Sequence, residues 1–373
     1  MAQPGRGVAA QAGAALPAAA ARLELAAAYG GLSAVERGRV QALRCDVSLP
    51  RFGLEPELWR QLAGEVSQVF HLAASVDFAL PLAESRAANV DSSREVLAFC
   101  RACAWRGKPD FRPNYVSTAY VAGRRQGWLT ESERNCGQAF WNAYEQSKLE
   151  GEEMAAAAMD EIALTIYRPS QIIGESRSGR IRKFFGYYEF LKLAERDRMP
   201  VLLADPGARP DLVPTDYVCD AMLHLSERPE AAGRVYHLTA GLSQSLSFER
   251  IFGLMYQVLA ERGGGVRQPR RYRHGELEAL ATPAELQRYH LSPLKLLQRT
   301  YRPYLDSERD FDCAATQREL AAAGIVLPDI ERTLRLSTGY ALDSRYGTAG
   351  SSAAANLKLS DRMQDGSHEA QVA

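Results

Sequence analysis

The chain has 373 residues, 46% hydrophobic and 24% charged, enough for one large α/β domain or two small ones and unlike a disordered or collagen-like chain. Lys plus Arg and Asp plus Glu balance at 45 each with a pI near 7, so no global field draws the chain onto nucleic acid or an anionic membrane. Six cysteines, Cys45, Cys100, Cys103, Cys136, Cys219 and Cys313, are too few and too scattered for a disulfide framework and read as reduced thiols in a cytoplasm.

Residues 1–17 form an Ala- and Gly-rich leader that is expected to be disordered. Arg6 stands alone, and Gln11, Gly13 and Pro17 interrupt the apolar run, so the segment does not read as a secretory signal. No run of apolar residues is long enough for a membrane span. A helix is expected over Ala18–Tyr29, a strand over Val40–Cys45 closed by Asp46, a helix over Pro56–Val66 and a buried strand over Val69–Ala74. Leu82–Ala104 reads as a long helix, Asn114–Thr118 as a strand, Trp141–Met159 as a helix and Ile162–Arg168 as a strand. This alternation predicts an α/β fold with a doubly wound parallel sheet over residues 18–175.

Beyond Gly174 the rhythm breaks at the basic and aromatic stretch Arg180–Leu191, where a smaller, mostly helical lobe over 176–344 is expected to begin. Its predicted elements are a strand at Pro200–Leu203 and helices at Phe248–Ala260, Glu276–Tyr289 and Gln317–Ala323. Residues 211–240, with a helix at Asp216–Leu225 and a strand at Val235–Thr239, are expected to return to the main sheet. Residues 345–373 read as a disordered tail, and no internal repeat is found.

The strongest chemical signal is Tyr144-Glu-Gln-Ser-Lys148 on a predicted helix that follows a strand ending in Ser117-Thr118. Spacing of i, i+4 stacks Tyr and Lys on one face, where the ammonium is expected to lower the phenol pKa for proton exchange with a carbonyl or alcohol oxygen. Thr118 is placed to hydrogen-bond the same oxygen. The same spacing on a helix is frequent by chance, so its surroundings decide.

Those surroundings are Cys45-Asp-Val47, Pro50-Arg-Phe-Gly-Leu54, Val69-Phe-His-Leu-Ala-Ala-Ser-Val76, Asn89-Val-Asp91, Tyr115-Val-Ser-Thr-Ala-Tyr-Val-Ala-Gly123, Asn142-Ala-Tyr-Glu-Gln-Ser-Lys148, Tyr167-Arg-Pro-Ser-Gln-Ile-Ile-Gly174 and Asp211-Leu-Val-Pro-Thr-Asp-Tyr217. In this order they resemble the extended short-chain dehydrogenases/reductases, most closely the thioester reductase and fatty acyl-CoA reductase (male sterility, NAD-binding) branch. The resemblance covers about residues 20–240.

It implies a Rossmann-type, NAD- or NADP-dependent oxidoreductase that reduces an acyl thioester carbonyl on CoA or an acyl carrier protein. Thr118, Tyr144 and Lys148 would be catalytic, with Lys148 also holding the nicotinamide ribose. Asp46 and Val47 would contact the adenine, Leu72, Ala73 and Ala74 would line the cofactor backbone, and Asn89 would brace the central helix. Tyr167, Pro169, Ser170 and Ile172 would flank the nicotinamide. Blander roles stay open: Asp46 as a turn cap, His71 as a core histidine, Asn89 as a helix-interior group bonded to backbone. Rival readings are a sugar-nucleotide epimerase or dehydratase, a hydroxysteroid-type dehydrogenase, or a non-catalytic fragment or scaffold. Homodimers are common in the family, although no residue here singles out such a face.

The family's G-x-x-G-x-x-G turn, which holds the pyrophosphate, does not occur in this sequence. The strand before that turn and the second strand are likewise expected to be missing, leaving Val40–Cys45 without sheet neighbours and the chain a poor binder of dinucleotide. A start codon set too far downstream, a truncated gene or a pseudoenzyme would each account for this. Cys100-Arg-Ala-Cys103 reads as a structural thiol pair, and no metal site is expected. Basic clusters at Arg177–Lys183 and Arg267–His274 read as a solvated face plus lobe core ahead of the alternative, a pocket for phosphates and a pantetheine arm. No nucleic-acid reader motif occurs.

Overall fold

A computed structural model describes residues 7–11, 40–108, 110–205, 207–273, 275–305 and 308–347. The expected helix at Ala18–Tyr29, most of the leader, His274 and the tail from residue 348 lie outside the described residues. The chain divides into two compact units: residues up to 124 with 131–168 and 223–236, and residues 125–130, 169–222 and from 237 onward.

The first unit opens with β1 (Gly7–Gln11), which runs parallel to β2 (Val40–Arg44) over five residue pairs. This corrects two expectations: a strand precedes Val40–Arg44, and it lies within the segment read as leader. After β2 come α1 (Pro56–Glu65), β3 (Gln68–His71), α2 (Leu82–Arg86), α3 (Ser92–Trp105), β4 (Arg112–Val116), α4 (Ala143–Ala158) and β5 (Thr165–Pro169). The sheet has the order Val235–Leu238, β5, β4, β3, with β3 to β4 and β4 to β5 parallel. Helical crossovers permit that parallel pairing. Ala63, Leu97, Phe99, Cys100, Cys103, Phe111, Leu164 and Ile166 form the core that α1, α3 and α4 share with the sheet.

Three local features fix how this unit presents its loops. Strand β3 stops at His71, three residues before its expected end, and releases Leu72–Ala74 into a loop. The long helix expected over Leu82–Ala104 is continuous but holds a π turn at Ala87–Asp91 between α2 and α3. After β2, Arg51, Phe52 and Gly53 are all left-handed, with φ of 53°, 62° and 66°. Arg51 and Phe52 pay for this with strain of order 1 kcal/mol each. Hydrogen bonds from Arg51 N–H to Glu95 and from Asp46 N–H to the Phe52 carbonyl, both 3.0 Å, hold the turn.

In the second unit three short parallel pairs, Gly127–Leu129 with Arg309–Phe311, Gln171–Ile173 with Leu212–Pro214, and Val201–Leu203 with Arg270–Tyr272, are joined by helices. The expected helix over Glu276–Tyr289 is broken into Leu277–Leu280 and Pro283–His290, because Thr282 and Glu285 form a capping box and Pro283 opens a new helix. Helices Leu294–Leu305 and Ile330–Asp343 were not anticipated. Of the aromatics behind Arg177–Lys183, Tyr187 and Tyr188 are lobe core, buried and bonded to Thr338 and to the Gly174 N–H, whereas Phe185 is exposed. No helix among the described residues is long and apolar enough to cross a membrane.

Candidate active site

Helix α4 begins where Asn142 Oδ1 accepts the Glu145 N–H at 3.0 Å and the buried Glu145 carboxylate accepts the Trp141 N–H at 3.0 Å. That start fixes the phase of the helix and so the face carrying Tyr144 and Lys148. Lys148 Nζ is buried and donates to the Val116 carbonyl at the carboxyl end of β4, 2.7 Å away. It lies 5.1 Å from the centroid of the Tyr115 ring. Thr118, two residues beyond β4, hydrogen-bonds Tyr144 and accepts the Tyr120 N–H at 3.3 Å. The Phe78 ring packs 5.5 Å from that of Tyr144. The three expected catalytic residues therefore converge at the carboxyl edge of a parallel sheet, where open α/β folds bind ligands.

Burial dominates the electrostatics. It pushes Tyr144 up to about 12, with the Thr118 hydrogen bond pulling the other way. This corrects the expectation that the phenol is lowered here. Burial also draws Lys148 down to about 8, opposed by the Glu152 carboxylate.

Asn89 sits in the π turn and is 1% exposed. Its Oδ1 accepts the Ser75 N–H at 2.8 Å, and its Nδ2 donates to the Ser75 carbonyl at 3.2 Å and to Ser147 Oγ at 2.9 Å. It thus ties the loop after β3 to the helix of Tyr144 and Lys148. The neighbouring stretch is open: Leu72 is 61% exposed, and Ala74 is exposed as well. Asp46 is exposed and caps a turn, its Oδ1 accepting Ser48 N–H at 2.9 Å and Ser48 Oγ at 2.6 Å, which holds its carboxyl below the usual range. Val47 is buried.

The segment expected to flank the nicotinamide divides. Tyr167 belongs to the core of the first unit: it is wholly buried, its hydroxyl donates to Asn114 Oδ1 at 2.8 Å, and its ring stacks on Tyr236. Pro169, Ser170 and Ile172 belong to the second unit. There the Ser170 hydroxyl donates to Asp211 at 2.5 Å, and Asp211 also accepts the Ala240 and Gly241 N–H groups. Sequence reasoning quoted Asp211 only as part of a motif. It also missed Phe78, Glu152 and Ser117, whose buried Oγ has no hydrogen-bond partner among the described residues. A buried hydroxyl of this kind, beside Thr118, is one that a bound ligand could satisfy.

His71 is buried with Ser93 and Tyr115, and burial, aided by the Lys148 charge, lowers it to about 3. This is the core histidine, neutral in the fold. Because its folded pKa lies below its unfolded value, the unfolded chain binds the extra proton between pH 6.5 and 3. Stability should therefore fall by ~1.4 kcal/mol per pH unit from this group as pH drops through that window. Denaturant titrations of the wild type and His71→Asn should show a pH-dependent gap there, and parallel curves would refute it.

Cys100 and Cys103 are buried core thiols raised by desolvation, Cys103 to about 11, so neither is a ready nucleophile. In the second unit, Arg271 and Arg273 line a shallow cavity with Glu249 and Glu276, so its charges balance.

A parallel sheet with Thr118, Tyr144 and Lys148 brought together at its carboxyl edge is the arrangement expected from the resemblance to the extended short-chain dehydrogenases/reductases. A family model described as male sterility protein, of the NAD-binding kind, matches residues 13–222, and the chain belongs to that family. It is 32% identical over 195 residues, 50% of this chain, to aldehyde reductase lnaA of Aspergillus flavus. The chain spans only 18% of that protein's length. Among solved structures it is similar to the terminal R domain of the myxalamid PKS-NRPS pathway, at a TM-score of 0.71 and 23% identity, covering 91% of this chain and 84% of that one. It is also similar to a thiolation-reductase di-domain of an archaeal non-ribosomal peptide synthetase, at a TM-score of 0.68 and 18% identity, covering 91% of this chain and 70% of that one.

Proposed function

We propose that the chain reduces the carbonyl of an acyl thioester carried on a phosphopantetheine arm, of a carrier protein or of CoA. The observation that carries this reading is the Thr118–Tyr144 hydrogen bond at the end of β4, one helical turn from the buried Lys148 cation. The names of its similar proteins support it, since one is an aldehyde reductase and another joins a thiolation domain to a reductase.

NADH or NADPH, when bound, supplies a hydride to the carbonyl carbon. Thr118 and Tyr144 orient the carbonyl oxygen, and Tyr144 donates a proton to it as the negative charge develops. The raised pKa keeps the phenol protonated near neutral pH, which is the form a reduction requires. Cleavage of the C–S bond of the resulting hemithioacetal releases an aldehyde and the thiol. Lys148 is the group that would hold the nicotinamide ribose, and Ser117 Oγ is free to donate to the same nucleotide. Asn89 tethers the loop after β3 beside them.

The test is a substrate panel of acyl-CoA, acyl carrier protein thioesters and UDP-sugars, run with NADPH and NADH while binding of each coenzyme is titrated. Oxidation of coenzyme with thioesters alone is expected. Turnover of a UDP-sugar, or saturated coenzyme with no thioester reduction, would overturn the assignment.

A further inference from the structure

Arg168 and Glu152 are 2% and 0% exposed, and the mechanism above uses neither. Arg168 Nη2 and Nε grip the Glu152 carboxylate at 2.5 to 3.2 Å. The same guanidinium donates to the Glu133 carbonyl at 2.8 Å and the Glu131 carbonyl at 3.4 Å. Helix α4, strand β5 and the loop leading toward α4 therefore meet on one side chain. Burying an ion pair costs desolvation that its attraction barely repays, so stability alone does not explain it.

Placement does. Tyr144, Lys148 and Glu152 recur at i, i+4 and i+8 on α4, each about 6 Å along the axis from the last. We propose that the buried Glu152–Arg168 pair is a positioning device for Lys148: it pins α4 at the height where Lys148 Nζ meets the Val116 carbonyl, and its carboxylate keeps that amine protonated. The inference rests on the reading of Lys148 as the functional cation.

Among the described residues, four titratable groups face Lys148. His71 from β3 is neutral in the fold, Tyr115 from β4 and Tyr144 from α4 are both raised by burial, and Glu152 is the one anion, itself paired with the Arg168 guanidinium of β5. Desolvation draws Lys148 down, and Glu152 alone among them opposes it.

The experiment follows the thermal midpoint of wild type, Glu152→Gln and the charge-free pair Glu152→Met/Arg168→Met from pH 6 to 9.5. A lysine held below its unfolded pKa weakens the fold while charged, and stability recovers as pH rises through its folded value. Removing Glu152 should move that recovery down by ~1 pH unit. The deficit of either variant against wild type should then be largest near pH 6 and shrink between about pH 7 and 8.5. A deficit constant with pH would overturn the proposal, and the apolar pair decides it if Glu152→Gln does not fold. This readout needs no turnover, so failure of the thioester assay leaves it standing.

Discussion

Tyr144→Phe is expected to cut turnover by about 10²–10⁴-fold while leaving coenzyme affinity unchanged, the range general acids contribute. The substitution removes one oxygen. The ring that packs against Phe78 remains, and so do the helix start at Asn142 and the Lys148 contact with the Val116 carbonyl. Only the proton donor and the partner of Thr118 are lost. Steady-state rates and a coenzyme titration on the same preparation check it; wild-type turnover would sink the catalytic assignment.

Gly151→Ala is expected to destabilise the chain by ~1–3 kcal/mol, the cost of overpacking. On an exposed helix the same change should stabilise by ~1 kcal/mol, so the sign is diagnostic. A Cβ at this position would lie 2.5 Å from the Tyr115 hydroxyl, 2.8 Å from Ser93 Oγ and 3.2 Å from the Asn89 carbonyl. The Asn89 carbonyl is backbone, already bonded by Ser93, and the Tyr115 hydroxyl is fixed by Ser93 as well. Relief would have to come from α4 lifting away from the π turn. That movement would loosen the Asn89–Ser147 hydrogen bond, so a fall in turnover beyond the loss of folded protein should accompany the fall in denaturation midpoint. A stabilised variant would show that α4 does not approach so closely.

Much of this was legible in the sequence because it rested on local rules. The i, i+4 spacing of Tyr144 and Lys148 fixes a helix face, on a helix expected over Trp141–Met159 and found over Ala143–Ala158. The parallel order of β3, β4 and β5 followed from strands alternating with helices. What stayed hidden depended on distant partners. Nothing local shows that the Ser170 hydroxyl is committed to Asp211, or that Arg168 reaches Glu152 and two loop carbonyls. The direction of the Tyr144 shift was misjudged for the same reason, since spacing reveals a neighbouring cation but not the burial that outweighs it. Strand β1 was passed over because Gly7-Val-Ala-Ala-Gln11 is too weakly β-prone to stand out from the Ala-rich residues around it. The helices Leu294–Leu305 and Ile330–Asp343 were missed although each carries an apolar stripe, buried at Leu294 and Tyr304 in one and at Ile330, Leu334 and Ala341 in the other.

The π turn at Ala87–Asp91 has a consequence for insertions and deletions. A wide turn accommodates one residue more than an α-helical turn, so removing a single residue there would let α2 and α3 merge into one regular helix. The helices on either side would keep nearly the same phase, because the wide turn already absorbs the extra residue, and the loss would fall on the turn that carries Asn89. Asn89 could no longer address Ser75 and Ser147 together, and the loop after β3 would lose its tether to the helix of Tyr144 and Lys148. The stretch is thus length-critical: a substitution at Val90 alters packing, whereas its deletion would remove the wide turn that aims Asn89 and disconnect the two halves of the site.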